Sequence, residues 1–251
     1  MPNKLKVLGL IPTRLNSNRL PQKALLDIHG LPLIIHTYKR AKLSKALTDV
    51  VICCDDKKIM DIAKKYKAKS ILTSKFHING TERIYEGYIN IKKKYDLIVD
   101  IQGDEPLISP YHIDEVVNFH NRNINWDIIL PTLKIPYFTN SNIVKVIFNK
   151  KKEVLYLSRA DIPYQFKKQN KIIYKHLSIV SFKPESLKKF SESFQSRLEI
   201  IEDIELLRAL DVGLKIKTIN LTGDSFSVDV FEDYEKAKDK ILKDKYYKIY
   251  K

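Results

Sequence analysis

The sequence predicts an α/β protein, an open sheet flanked by helices, and three observations carry that reading. A nearly continuous apolar run (Val7, Leu8, Leu10, Ile11) stops at Pro12 and opens into a loop bearing Arg14, Arg19 and Lys23. A second apolar run, Leu97, Ile98, Val99 and Ile101, ends in Gln102, Gly103, Asp104, Glu105 and Pro106. Short apolar runs of this kind are typical of strands covered on both faces. Between and beyond them, strand and helix patterns alternate, the arrangement of an α/β layer structure.

Taken in order, the first strand is expected over 4–11, where apolar residues dominate and proline follows. A helix over 33–43, a strand over 49–53 and a helix over 57–66 complete one strand-helix repeat. A strand over 70–72, a helix over 81–93 and the strand over 97–101 make the next. After a helix near 113–121 and a strand near 127–133, short strands at 144–148 and 154–156 imply a β-rich insertion. The chain returns through 172–182, helices across 184–210, a strand over 214–219 and a helix from 231 onward. No internal repeat is visible, and only 7 glycines argue against long flexible joints.

A chain of 251 residues that is 44% hydrophobic can bury one large core, so a single domain over 1–251 is expected, with a β-rich part near 135–185. No apolar run is long enough to cross a bilayer and the start lacks a secretory apolar segment, which points to the cytoplasm without membrane insertion. Cys53 and Cys54 are neighbours whose side chains point to opposite faces of a strand, so they suggest neither a disulfide nor a metal site. The net charge of +15 is also the footprint of a nucleic-acid binder. Here the lysines are dispersed over helical and terminal segments without an aromatic stacking platform, so no specific nucleic-acid partner is expected.

The two strand-end loops carry the chemistry. Open α/β sheets bind ligands at the carboxyl ends of their strands, and three cations converging there can neutralise a triphosphate. The alternative is a solvated basic loop. Gly103 allows close approach of a ligand, and a carboxylate at Asp104 facing a phosphate loop makes a bridging Mg²⁺ chemically sensible. The alternative for Asp104 is a cap for the helix that follows Pro110.

These residues also carry a resemblance. Pro12-Thr13-Arg14, Ser17, Arg19-Leu20-Pro21, Lys23 and Leu25 resemble the signature of bacterial 3-deoxy-manno-octulosonate (Kdo) cytidylyltransferases. The likeness continues in order through Gly80-Thr81-Glu82-Arg83, Gln102-Gly103-Asp104-Glu105-Pro106, Ser158-Arg159-Ala160, His176-Leu177, Leu198-Glu199, Leu207-Arg208 and Val228-Asp229. It spans essentially the whole chain. The resemblance implies a nucleotide-diphospho-sugar-transferase-like, Rossmann-like mixed sheet and the transfer of CMP from CTP to a 2-keto-3-deoxy sugar acid, with loss of pyrophosphate. It also implies Mg²⁺ as cofactor and a homodimer, with the β-rich part serving acceptor binding and dimerisation. Two alternatives remain, CMP activation of another anionic acceptor and a basic binding protein that keeps the fold without catalysis.

Matched residue by residue, the resemblance assigns Asp104 and Asp229 to the metal and Arg14, Arg19 and Lys23 to the phosphates. Pro12, Thr13, Cys54, Asn79, Gly80, Thr81, Arg83 and Gln102 complete the nucleotide set. Helix capping by Asn79 or Thr81 is an equally simple reading of the polar cluster at 77–83, and compatible with base contact. For the acceptor it implies Gln102, Arg159, His176, Glu199, Glu202 and Glu205. Arg159 offers a planar fork suited to a carboxylate. The three glutamates, spaced by three, would share one face of a helix over 195–210, as sugar-hydroxyl ligands or as a solvated acidic stripe. Departures from the family pattern fall mainly in this half, at Ser178, Val180, Arg197 and Leu206. They imply that distal hydroxyls of the acceptor are read differently.

Overall fold

The computed structural model describes residues 5–17, 19–167, 169 and 171–251. The chain divides into two compact units, Met1–Glu115 with Ser225–Lys251, and Val116–Asp224.

In the first unit, β1 (Val7–Thr13) leads through a 3₁₀ turn at Lys23–Leu25 to the short pair β2 (Asp27–Ile28) and β3 (Leu31–Pro32). There follow α1 (Leu33–Ala41), β4 (Asp49–Cys54), α2 (Lys57–Lys65), β5 (Ser70–Leu72), α3 (Gly80–Ile91) and β6 (Leu97–Ile101). The sheet order is β5-β4-β1-β6. Every one of these pairings is parallel, with Leu8 opposite Asp49 on one side of β1 and Ile98 on the other. Val7, Leu8, Leu10, Ile11 and all of β6 are buried, as continuous apolar strands between helix layers must be.

Most of the expected elements are present, and the differences have local causes. The start of the expected first strand, Lys4, lies outside the described residues; β1 continues past Pro12 because its ladder with β4 persists to Thr13↔Cys54. The helix expected over 81–93 ends at Ile91 because Lys92 turns left-handed (φ 52°) and closes it. The β2–β3 hairpin was not expected. His29 (φ 52°) and Gly30 (φ 85°) both take left-handed backbone, the requirement of a two-residue hairpin turn that glycine meets without strain.

The boundary between the units falls inside α4 (Pro110–Arg122). The second unit holds β7 (Ile128–Pro136), β8 (Lys145–Phe148), β9 (Val154–Ser158), β10 (Ile172–His176) and β11 (Ile179–Phe182), then α5 (Pro184–Ser191), α6 (Arg197–Glu202), α7 (Leu206–Asp211) and β12 (Ile216–Leu221). Its long strand β7 pairs antiparallel with β10 and β11 and parallel with β12. The segment 172–182 is two strands because Leu177 leaves the ladder, its N–H donating to the Pro131 carbonyl. The single helix expected over 195–210 is instead α6 and α7. Asp203 adopts left-handed backbone (φ 51°) and stops α6 after Glu202.

The chain then re-enters the first unit with α8 (Phe231–Lys243) and α9 (Tyr247–Tyr250). Val228, Ala237 and Ile241 from this return pack with Leu20, Ile28 and Leu33 into one buried cluster.

Candidate active site

The site grows from the carboxyl ends of β1 and β6. On leaving β1 the chain is fixed at Leu15, whose N–H donates to Asp55 Oδ1 at 2.9 Å. It then reaches the 3₁₀ turn that carries Lys23. On the neighbouring strand end, a Cβ built on Gly103 would lie 2.6 Å from the Pro12 carbonyl oxygen, so only glycine lets the two loops meet this closely. Thr37 in α1 donates to the Gly103 carbonyl at 3.2 Å. The Val228 N–H donates to the Asp104 carbonyl at 2.9 Å, which brings Asp229 beside Asp104 from far along the chain.

These segments enclose a cavity of about 410 Å³. Of the residues singled out from sequence, Pro12, Thr13, Arg14, Arg19, Lys23, Asn79, Gly80, Arg83, Gln102, Asp104 and Asp229 all line it. Lys23 Nζ lies 2.8 Å from Asp104 Oδ2 and 3.4 Å from Asp229 Oδ1, and Arg19 donates to the same Asp229 oxygen at 2.9 Å. Two carboxylates thus share one ammonium. That is the donor set of a hard divalent cation that takes one or two carboxylates and completes its shell with water and phosphate oxygens. Among the described residues no cluster of three or more His, Cys, Asp or Glu side chains forms an all-protein cage. Asp104 is engaged with Lys23, and α4 starts at Pro110, so capping is not its role here.

The other wall comes from the N-terminus of α3. Asn79 caps it, its side chain accepting the Glu82 N–H at 2.9 Å, while also facing the cavity. Capping and ligand contact therefore coexist at one residue. Arg83 is buried and donates to Thr73 Oγ1 (2.8 Å) and the Ser74 carbonyl (3.0 Å). Gln102 donates through Nε2 to the buried carboxylate of Asp100 at 3.0 Å. Two expected residues sit elsewhere: Cys54 and Thr81 are fully buried and do not line the cavity. Burial pushes the Cys54 thiol up to about 11, and its Sγ lies 3.6 Å from the Ile71 carbonyl, a core role.

Ser17, Ala24 and Leu33, to which the sequence reading gave no role, also line the cavity, as do His77 and Ile78 of the segment 77–83 that the resemblance sets against the nucleoside. Ser17 lies inside the first quoted motif and is legible there. Ala24 and Leu33 carry no chemical signal and are placed only by the fold. His77 Nε2 is hydrogen bonded to Glu86, whose carboxylate also accepts the Ser74 N–H.

In the second unit the expected acceptor residues separate into two groups. Glu202 accepts from Ser158 Oγ (2.6 Å) and from the Arg159 N–H (2.8 Å), while the Arg159 guanidinium donates to the Glu202 and Asp203 carbonyls at 2.8 and 3.0 Å. Lys145, 1% exposed, donates to the Arg159 and Asn140 carbonyls, both at 2.7 Å, and tightens the same loop. Glu199 belongs to another group. It is buried and held by Arg208 through two bonds of 2.7 Å, in the fork geometry expected of guanidinium and carboxylate.

The break at Asp203 places Glu205 at the start of α7, so the three glutamates do not form one helical stripe. His176 Nε2 is a buried nitrogen with no hydrogen-bond partner, and burial pushes the ring down to about 4, with Lys175 adding to the effect. Leu206 and Val180 are inside the packed core of this unit, and Ser178 is half-buried.

Comparison with known proteins shows the family. Residues 8–216 match the family model described as Cytidylyltransferase. The chain is 38% identical over 244 residues to the 3-deoxy-manno-octulosonate cytidylyltransferase of Thermodesulfovibrio yellowstonii, covering 91% of this chain and 95% of the relative. It is 34% identical over 246 residues to the 8-amino-3,8-dideoxy-manno-octulosonate cytidylyltransferase of Shewanella baltica, covering 96% and 100%. A solved structure described as CMP:2-keto-3-deoxy-manno-octonic acid synthetase complexed with CTP superposes with a TM-score of 0.88 at 29% identity, covering 95% and 99% of the two chains. With a family model matched over most of its length and relatives this similar along nearly the whole chain, the chain belongs to the 3-deoxy-manno-octulosonate cytidylyltransferase family.

Proposed function

We propose that this enzyme transfers CMP from CTP to a 2-keto-3-deoxy sugar acid of the octulosonate class, releasing pyrophosphate. The observation that supports this most is one cavity in which Arg14, Arg19 and Lys23 face the paired carboxylates Asp104 and Asp229. Two anions must meet for an anomeric hydroxyl to attack the α-phosphorus, and fixed cations offset their repulsion. Arg14 and Lys23 hold the triphosphate and stabilise charge that shifts toward the leaving pyrophosphate. Asp104 and Asp229 would hold Mg²⁺, which would supply Lewis-acid polarisation of phosphoryl oxygens. Lys23, which links the two carboxylates here, is close enough to serve the phosphates beside them.

Asn79, Gly80, Arg83 and Gln102 flank the nucleoside. Arg159, fixed by Glu202, is the carboxylate fork for the acceptor. His176 is the second acceptor residue that the resemblance implies, its ring Nε2 buried and without a hydrogen-bond partner. Exposed Phe194, Leu198, Ile200 and Ile201, on and beside α6, support a homodimer. Among the described residues no helix is long and apolar enough to cross a membrane, and the use of CTP supports a cytoplasmic location.

The test is release of pyrophosphate from CTP and Mg²⁺ with Kdo or with its 8-amino-8-deoxy analogue as acceptor. Turnover with either acceptor, absent without it, supports the reading. Turnover only with an acceptor that lacks the 2-keto acid group would overturn it.

A further inference from the structure

The helix α8 touches the supports of both metal-side carboxylates. At its start, Asp233 Oδ2 accepts the N–H groups of Asp229 (3.1 Å) and Val230 (3.3 Å), which fixes the backbone that presents Asp229. Just past its other end, Asp244 is paired with Arg40 of α1, Oδ1 lying 2.5 Å and Oδ2 3.4 Å from the guanidinium nitrogens. Arg40 is 1% exposed, and its remaining donors go to the carbonyls of Leu107 (2.9 Å) and Ile108 (2.6 Å). Those carbonyls close the loop that begins at Gly103 and carries Asp104, and Thr37, one turn back on α1, holds the Gly103 carbonyl.

The same end of the chain secures α1 at two more points. Tyr250 hydrogen bonds to His36 Nδ1 at 2.9 Å, and Lys39 donates to the Tyr250 carbonyl at 2.7 Å. Along its length α8 buries Ala237 and Ile241 against Leu20, Ile28 and Leu33, the frame of the phosphate loop.

We propose that α8 with residues 244–250 is a brace that sets the separation of Asp104 and Asp229, and that Asp244 and Arg40 are positioning residues for the reaction. This rests on the reading of those two carboxylates as the metal ligands. The chain of contacts is continuous: Asp229 to Asp233, α8 to Asp244, Asp244 to Arg40, Arg40 to the carbonyls that end the Asp104 loop. Arg40 has no route to the substrate, since its donors face Asp244 and the loop backbone. Without Asp244 the guanidinium loses the partner that keeps it aimed at Leu107 and Ile108. The Asp104 loop is then free to drift relative to Asp229 while each carboxylate remains intact.

The test compares Asp244→Asn and Asp244→Glu with the unaltered enzyme in two measurements. The first is hydrogen exchange of the protein alone, without nucleotide or metal. The brace predicts that Asp244→Asn speeds exchange of the 103–108 amides by at least about tenfold, the scale set by losing a charge-assisted hydrogen bond. Amides of β4 stay as slow as before, and Asp244→Glu restores most of the protection. The second is Mn²⁺ affinity in the presence of CTP, which weakens in Asp244→Asn while CTP binding without metal is unchanged. Equal exchange at 103–108 in all three proteins, or a rise that includes β4 to the same extent, would overturn the brace. Failure of the metal reading is separately visible: Asp104→Asn would then bind Mn²⁺ with CTP as the unaltered enzyme does.

Discussion

Lys23 and Asp104 face each other across the cavity, Nζ to Oδ2 at 2.8 Å, and the same ammonium reaches Asp229 at 3.4 Å. A single cation therefore holds together two carboxylates that the sequence keeps far apart. The proposed function assigns these two carboxylates to a divalent ion, with the lysine beside the phosphates.

Asp104→Asn and Asp229→Asn are each expected to abolish turnover and leave the fold intact. Removing a hard oxygen charge from the metal costs on the order of several kcal/mol in transition-state stabilisation. Steady-state pyrophosphate release at saturating Mg²⁺, with circular dichroism as the check on folding, tests this; a near-normal rate in either variant refutes the assignment.

Lys23→Ala and Arg14→Ala should lower kcat more than they raise the Kd for CTP, because charge moves onto the leaving phosphates during displacement. Calorimetric CTP binding beside kcat separates the two effects. Weakened affinity with unchanged kcat in both variants would reduce these residues to binding groups.

Arg208→Ala should destabilise the second unit by about 3–5 kcal/mol, because it takes the guanidinium partner from the buried Glu199 carboxylate. The double variant Glu199→Leu/Arg208→Met should recover much of that loss, since it removes both buried charges together. Urea unfolding midpoints measure both. A loss below about 1 kcal/mol in Arg208→Ala, the range of a surface pair, would show that Glu199 finds water or another partner.

Stability should fall as pH drops from about 6.5, the unfolded histidine value, toward 4. His36 and His120 are buried and desolvated, and each is pushed down to about 4 in the folded protein. In that window the unfolded chain binds protons that the folded chain refuses, so the contribution is full above pH 6.5 and fades below it. His120→Gln, which keeps polar groups toward Ser181 and the Trp126 carbonyl, should flatten the decline of the urea midpoint between pH 7 and 4.5. An unchanged slope would contradict it.

The enzyme should run as a homodimer in light scattering across micromolar concentrations, with Ile200→Asp and Phe194→Asp shifting it toward the single-chain mass. A single-chain mass for the unaltered protein would count against the interface.

Much of this was legible in the sequence because buried parallel strands write themselves as apolar runs, and the loops at their carboxyl ends carry unbalanced charge. That logic located β1, β6, Arg14, Lys23 and Asp104 without any fold. The family resemblance added Asp229, which lines the same cavity and which no local pattern singles out. Tertiary structure alone decided what each polar side chain faces. Cys54 and Thr81 sit in the right segments but are buried in the core, because a parallel strand between helix layers is covered on both faces and one face of a helix must be buried.

The glutamates of the second unit show the same limit. Spacing by three suggested one acidic stripe, yet a single left-handed residue, Asp203, ends the helix, and Glu199 turns inward to meet Arg208. Sequence periodicity states which residues can share a face while a helix continues. Where it stops, and which buried charge finds its partner, depends on contacts between residues distant in the chain. Asp244, Arg40 and the Leu107 and Ile108 carbonyls meet for that reason, and no local pattern announces them.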